Sequence, residues 1–211
     1  MVMERIRIGD IVLKTHPLVY EPGEDSILLM ENLVDVRGKK VLDMGTGTGI
    51  QAINALKRGC EIALGVDINP YAIRLSRENA ELNKVDRKGF FFQSDLFKNI
   101  DWIMEELGID RFDVILFNAP YLPTSQEERL EGYINYAFDG GVDGREVIDR
   151  FISEAGRYLK RGGVIQIVQS SLTGERRTLD MLERYGFKGE KSASIRFFFE
   201  EIQVITARKV R

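Results

Sequence analysis

Five short apolar runs, each followed by a turn and a helix-like stretch, restrict what this chain can fold into more than any other feature. The runs occupy residues 40–43, 61–66, 89–93, 112–117 and 163–169. The helix-like stretches are 50–57, the segment opened by Asn69-Pro70, 102–107, 145–159 and 174–185. Strands separated by helices are joined by crossovers, so they lie mainly parallel, with helices on both faces of the sheet. Two last runs, 193–200 and 201–209, have no helix between them and read as an antiparallel hairpin at a sheet edge. The expectation is an α/β fold with a seven-stranded, mostly parallel sheet. Ahead of it, 6–13 reads as one short extended piece and Pro22-Gly23 as a turn. Asp25 or Ser26 reads as the cap of a helix through Ile27, Leu28, Leu29 and Leu33, ended by Gly38.

A chain of 211 residues, 44% apolar, has enough material for one such domain. The formal charge of -3 argues against a general nucleic-acid binder. The basic residues Arg176, Arg177, Lys188, Lys191, Arg196, Arg208, Lys209 and Arg211 read as a solvated face and tail. Cys60 stands alone and reads as a small buried hydrophobe; together with the single His16 it makes no zinc-finger-type metal site. No apolar segment is long enough to span a membrane and no secretory pattern opens the chain, so the expected location is cytoplasmic.

The first run leads into Val41-Leu42-Asp43-Met44-Gly45-Thr46-Gly47-Thr48-Gly49. A glycine turn between a strand and a helix is where open α/β sheets bind nucleotides. Gly45 and Gly47 allow backbone angles that other residues resist, and they let a ligand approach the main chain. The helix starting near Thr48 offers free N–H groups. Asp43 can meet an ammonium, and Asp67, ending the second run, can accept both hydroxyls of a ribose. Dinucleotide enzymes use the same logic, but their fingerprint requires glycine at 45, 47 and 50. Here residue 50 is Ile and the third glycine is Gly49. Asp95, in Phe92-Gln93-Ser94-Asp95-Leu96, can accept from an adenine amino group with Leu96 near the ring. Taken singly, Asp67 and Asp95 equally fit a helix cap or a turn. Their weight comes from position, since marked loops after four successive strands describe one crevice.

The fourth run ends in Asn118-Ala119-Pro120-Tyr121. The Asn118 side-chain oxygen is one acceptor and the carbonyl of Ala119 a second, with Pro120 pushing residue 119 toward an extended geometry. Two acceptors can take both hydrogens of an –NH2 group, aim the nitrogen lone pair at an electrophilic methyl, and stabilise positive charge developing on nitrogen. Tyr121 can stack on a planar acceptor group. The bland alternative is a turn that ends a buried strand. Residues 122–144, with Pro123, Gly132, Gly140, Gly141 and Gly144, make a connection longer than ordinary βα loops, and such loops are often functional.

Four stretches together resemble one family. They are Val19-Tyr20-Glu21-Pro22-Gly23-Glu24-Asp25-Ser26, the glycine loop 41–49, Asn118 to Tyr121, and Asp139-Gly140-Gly141-Val142-Asp143-Gly144-Arg145-Glu146. Their order and spacing are similar to the HemK-like N5-glutamine methyltransferases of class I release factors, closest to the compact archaeal and eukaryotic branch. The resemblance implies a Rossmann-like class I methyltransferase domain over 37–211, with 1–36 as an N-terminal extension packed on it. It also implies S-adenosyl-L-methionine as cofactor, held by Asp43, Gly45, Thr46, Gly47 and Gly49 at its methionine end. Asp67 would hold the ribose, Asp95 and Leu96 the adenine, and Ser26 would lie near the cofactor where the family usually has Thr. Asn118, Ala119, Pro120 and Tyr121 would hold the glutamine of a Gly-Gly-Gln motif, with Asn118 also counted among the residues that meet the cofactor. The family pattern is Asn-Pro-Pro-Tyr; Ala119 keeps the carbonyl but loosens its φ. Implied partners are a class I release factor as substrate and a small zinc-binding activator protein, docked on 89–93 or a neighbouring apolar edge. The triple phenylalanines 90–92 and 197–199 both read as strand residues rather than interfaces.

Three other readings stay open from the residues. An adenine-N6 methyltransferase uses nearly the same acceptor chemistry, but it must extrude a base and hold phosphates; no separate recognition domain is evident for that. The others are a lysine or small-molecule methyltransferase, and a donor-binding scaffold with little catalysis.

Overall fold

The computed structural model describes residues 4–124 and 132–210. It opens with strands β1 (Arg5–Ile8) and β2 (Ile11–Lys14), which pair antiparallel as a separate small sheet. The single extended piece expected at 6–13 is thus a hairpin, because Gly9 at φ 59 starts a two-residue turn. There follow α1 (Glu24–Glu31), β3 (Lys40–Met44), α2 (Ile50–Lys57), β4 (Ile62–Asp67), α3 (Pro70–Leu82) and β5 (Gly89–Gln93). Next come α4 (Ile100–Leu107), β6 (Phe112–Asn118), α5 (Glu146–Tyr158) and β7 (Leu159–Ser170). The chain closes with α6 (Glu175–Arg184), β8 (Phe187–Arg196) and β9 (Glu201–Lys209).

The large sheet has seven strands in the order β5-β4-β3-β6-β7-β9-β8. All pairs from β5 to β7 are parallel, while β9 runs antiparallel to both β7 and β8. Strand alternation splits the core in two. Leu42, Met44, Ile115 and Phe117 join one cluster with Phe97, Ile103 and Phe151. Val41, Val114 and Leu116 join the other with Leu28, Leu29, Ile53, Ile11 and Leu13. The small hairpin is fastened by side chains near the end of α3: Val12 N donates to Asn83 Oδ1 at 3.1 Å and Lys14 N to Asn79 Oδ1 at 2.8 Å.

Three local expectations need correction. Helix α1 starts after Gly23 with no side-chain cap, and Asp25 and Ser26 lie inside its first turn. It stops at Asn32 rather than Gly38, because the buried Gln166 of β7 captures the departing chain: Val34 N donates to Gln166 Oε1 at 3.1 Å, and Gln166 Nε2 donates to Asn32 O at 3.0 Å. The run Phe197-Phe198-Phe199 is not strand. Pairing of Arg196 with Glu201 forces the turn at 197–200, and Phe198 is 92% exposed on it. The other run behaves as expected of a strand: Phe91 is buried, and Phe90 and Phe92 are half-buried on edge strand β5.

In the long connection, a 3-10 turn covers Tyr133–Ala137 and Leu122 bridges Asp139, while 125–131 lie outside the described residues. The segment 139–146 is a buckle. Gly144 sits at φ 70, and any Cβ there would strike the carbonyl oxygen of Tyr121. Arg145 is fully buried, with Nη1 donating to Thr173 O and Thr178 Oγ1, each at 2.8 Å, and Nη2 to Asp149 Oδ1 at 2.6 Å.

Candidate active site

Strand order reverses between β3 and β6, since the chain builds outward to β5 on one side and to β7 on the other. A crevice opens at the carboxyl ends of strands at such a switch point. Here it holds a cavity of about 890 Å³, ample for a nucleoside-sized ligand and a reacting side chain. Every residue singled out from the sequence lines it except Gly49. Gly49 instead starts α2 at φ 85, where a Cβ would press on the Cβ of Ser76 at 3.0 Å.

The glycine turn is held by hydrogen bonds on both sides. Gly45 and Gly47 take φ 63 and 54, Thr46 N donates to Val66 O at 2.9 Å, and Thr46 Oγ1 donates to Asp43 Oδ2 at 2.6 Å. The same Asp43 oxygen accepts from Ala52 N at 3.1 Å. Burial pushes the Asp43 carboxyl up to about 7, against the pull of these two donors. Asp67 accepts from Gly47 N and Asn69 N, each at 2.9 Å, and burial raises its pKa as well. Each Asp67 oxygen keeps a second lone pair for a further donor. A buried and a half-buried carboxyl facing one cavity favour a ligand that brings positive charge and hydroxyl donors. Asp95 is more open and pairs with Arg150 at 3.1 Å, and Leu96 beside it takes φ 46.

Across the cavity, Asn118 ends β6. Its Nδ2 donates to Asp25 Oδ2 and to Ser26 Oγ, both at 3.1 Å. Its Oδ1 is buried and accepts no hydrogen bond. Tyr20 donates to Asp25 Oδ1 at 2.9 Å and Tyr121 to Asp25 Oδ2 at 3.4 Å. Burial, reinforced by the Asp25 charge, raises the pKa of both phenols and keeps them as donors. Five buried side-chain polar atoms among the described residues lack a hydrogen-bond partner, and three belong to the cavity wall: Thr48 Oγ1, Gln51 Oε1 and Asn118 Oδ1. Unsatisfied groups gathered in one cavity mark a ligand site.

Sequence reasoning missed Tyr20, Thr48 and Gln51 and took Asp25 for a possible cap. Acids are common in the first turn of a helix, so Asp25 carries a mundane reading; only its motif neighbours hinted at more.

This sheet, with its C-terminal antiparallel pair, is the fold of the class I S-adenosylmethionine-dependent methyltransferases. A Methanocaldococcus jannaschii protein named "putative protein N5-glutamine methyltransferase" is 56% identical over 202 residues, covering 96% of this chain and 98% of its own length. The chain belongs to the HemK-like protein N5-glutamine methyltransferase family. Human methyltransferase HEMK2 is 30% identical, with 90% of each chain covered. The structure of the E. cuniculi Mtq2-Trm112 complex, which is responsible for methylation of the eRF1 translation termination factor, has a chain 28% identical at a TM-score of 0.64, covering 91% of this chain and 99% of that one. The chain spans only 56% of the Aquifex aeolicus release factor glutamine methyltransferase. The family profile for ribosomal protein L11 methyltransferase (PrmA) matches residues 24–118. No helix among the described residues is long and apolar enough to cross a membrane.

Proposed function

We propose that this enzyme methylates the side-chain amide nitrogen of the glutamine in the Gly-Gly-Gln motif of a class I release factor. One observation carries the reading: a buried Asn118 oxygen without a hydrogen-bond partner, on a side chain whose nitrogen is tied back. That oxygen accepts one hydrogen of the substrate –NH2, and the Ala119 carbonyl accepts the other. An amide nitrogen is a weak nucleophile because its lone pair is delocalised, so orientation and local dipoles supply most of the catalysis. Tyr121 packs beside the acceptor plane.

S-adenosyl-L-methionine, when bound, supplies an electrophilic sulfonium methyl. Asp43, Gly45, Thr46 and Gly47 hold its methionine end, Asp67 its ribose, and Asp95 with Leu96 its adenine. Ser26 lies beside both ligands. Gly49 contributes by letting α2 begin close to Ser76. Within the extension assigned to 1–36, the stretch 19–26 closes the wall carrying Tyr20, Asp25 and Ser26.

The Mtq2-Trm112 complex supports a small partner protein for this chain too, and the family resemblance supports a zinc-binding one. Its docking edge is β5, an outer strand with Phe90 and Phe92 half-buried and Trp102 exposed against Phe92 at 6.0 Å. The cytosol is the compartment that matches a translation factor as substrate.

The test is methyl incorporation from labelled donor into purified release factor, its Gln-to-Ala variant, and nucleic acid in parallel. Label in the intact factor alone is expected. Label in nucleic acid, or equally in the variant, rules this reading out.

A further inference from the structure

We infer that Asp25 is a positioning residue for the acceptor amide, clamping Asn118 so that only its oxygen faces the reacting nitrogen. The inference rests on the glutamine-amide reading above. A carboxamide has two ends of nearly the same shape and opposite hydrogen-bonding sense. With Nδ2 turned to the cavity, Asn118 would oppose a substrate –NH2 instead of accepting from it. Asp25 forbids that orientation, because a carboxylate is an acceptor only. Its Oδ2 takes Nδ2 of Asn118 at 3.1 Å and the Tyr121 hydroxyl at 3.4 Å. Its Oδ1 takes the Tyr20 hydroxyl at 2.9 Å, the Ser26 hydroxyl at 3.2 Å and the Ser26 N–H.

These five donors are all neutral, so they fix the carboxylate without cancelling its charge. That charge has a second effect. A charge-assisted bond at Nδ2 draws the amide toward its dipolar resonance form and makes Oδ1 a stronger acceptor. Positive charge arriving on the substrate nitrogen during transfer is then stabilised through Asn118. The competing reading is a first-turn acid that merely suits the start of α1. Glu24 occupies that same turn, is exposed, and serves as the comparison.

The experiment compares Asp25→Asn, Glu24→Gln, Asn118→Ala and the Asp25→Asn/Asn118→Ala double variant in single-turnover methylation of release factor, with donor affinity measured separately. Asp25→Asn is expected to slow transfer about 10- to 100-fold, the size of one hydrogen bond to a charged group, with donor Kd within about twofold. Glu24→Gln should match the parent. In the Asn118→Ala background, Asp25→Asn should cost nothing further, because the two residues act as one unit. Full-rate transfer by Asp25→Asn, or losses that simply multiply, would overturn the inference. A second measurement is independent of the acceptor: the side-chain 15N amide resonance of Asn118, identified by its absence in Asn118→Ala. It should shift toward that of a free amide in Asp25→Asn; an unmoved resonance rejects the clamp. A parent enzyme that leaves release factor unlabelled condemns the proposed substrate, while the resonance still decides on the clamp.

Discussion

Asn118 and Asp43 line the same cavity, and the proposed function gives them opposite tasks that substitutions should separate. Asn118→Ala removes an acceptor for the reacting nitrogen and leaves the glycine turn untouched. Turnover should fall about 100- to 1000-fold, as when one preorganised polar group is removed from a reacting centre, with donor Kd unchanged by titration. A matching loss of donor affinity would move Asn118 to the cofactor's side. Asp43 makes a pH prediction whose sign is fixed by burial. Its folded-state pKa is raised to about 7, above the unfolded value. The donor-free protein therefore loses stability as pH climbs from about 4 toward 7, the reverse of an ion-paired carboxylate. An ammonium binds only the ionised form. Donor affinity should then rise with pH up to about 7 and fall again above about 8, where the donor's own α-ammonium loses its proton. A flat binding profile between about pH 5.5 and 8.5 would show that Asp43 does not meet the ammonium.

At the scale of elements, the two phenylalanine triplets show what pattern can and cannot settle. Both read as strand from residue type alone. Phe91 faces the core beneath Gly65, whereas Phe198 and Phe199 bury almost nothing. Phe91→Ala should cost about 3–5 kcal/mol of unfolding free energy. Phe198→Ser with Phe199→Ser should change it by no more than about 0.5 kcal/mol; denaturant titration distinguishes the two. The parallel sheet was legible because its strands are buried on both faces and its helices carry one apolar side. The last hairpin's bounds were not, because β8 carries exposed Lys188, Glu190 and Lys191 and no clean alternation marks where it begins. The early end of α1 was hidden for another reason: its cause, Gln166, lies far away in sequence. The glycine turn and Asn118 were legible as local motifs. The clamp on Asn118 was not, since it joins residues 93 apart in sequence through a side chain with an ordinary local reading. The Asp-Gly-Gly motif was recognised by likeness only; the structure supplies its physics through the buried Arg145. Replacing Arg145 by Lys keeps the charge but loses the planar fork that reaches Thr173, Thr178 and Asp149 together. A loss of about 3 kcal/mol is expected, read as a lowered Tm. An unchanged Tm would mean the buckle is held elsewhere.

Over the whole molecule, the cavity is walled by separated parts of the chain: four of them are 19–26, 43–51, 67–72 and 117–122, and residues of 94–96, 132–139 and 146–150 complete it. The first belongs to neither strand nor helix of the parallel unit until α1, and it is tied to the rest by Asn118 and by Gln51 Nε2, which donates to Ser26 O at 2.7 Å. A ligand that touches these four walls links segments that otherwise open independently. Binding to the folded state alone stabilises by about 2.7 kcal/mol at a hundred times Kd. The gain should not spread evenly, because local opening involves cooperative units rather than single residues. Hydrogen exchange with saturating S-adenosyl-L-methionine should slow most in the turn 45–50, at 118–121 and in the first turn of α1. The β8–β9 hairpin, on the far edge of the sheet, should exchange as before. Protection confined to the glycine turn would mean that the N-terminal segment is not part of the donor site. Protection extending over β8–β9 would mean that donor binding is coupled to global unfolding rather than to closure of the wall. The expected pattern lies between these two, and it follows from which strands border the switch point: β3 carries the glycine turn and β6 carries Asn118, so the proposed donor site and acceptor grip sit on adjacent strands.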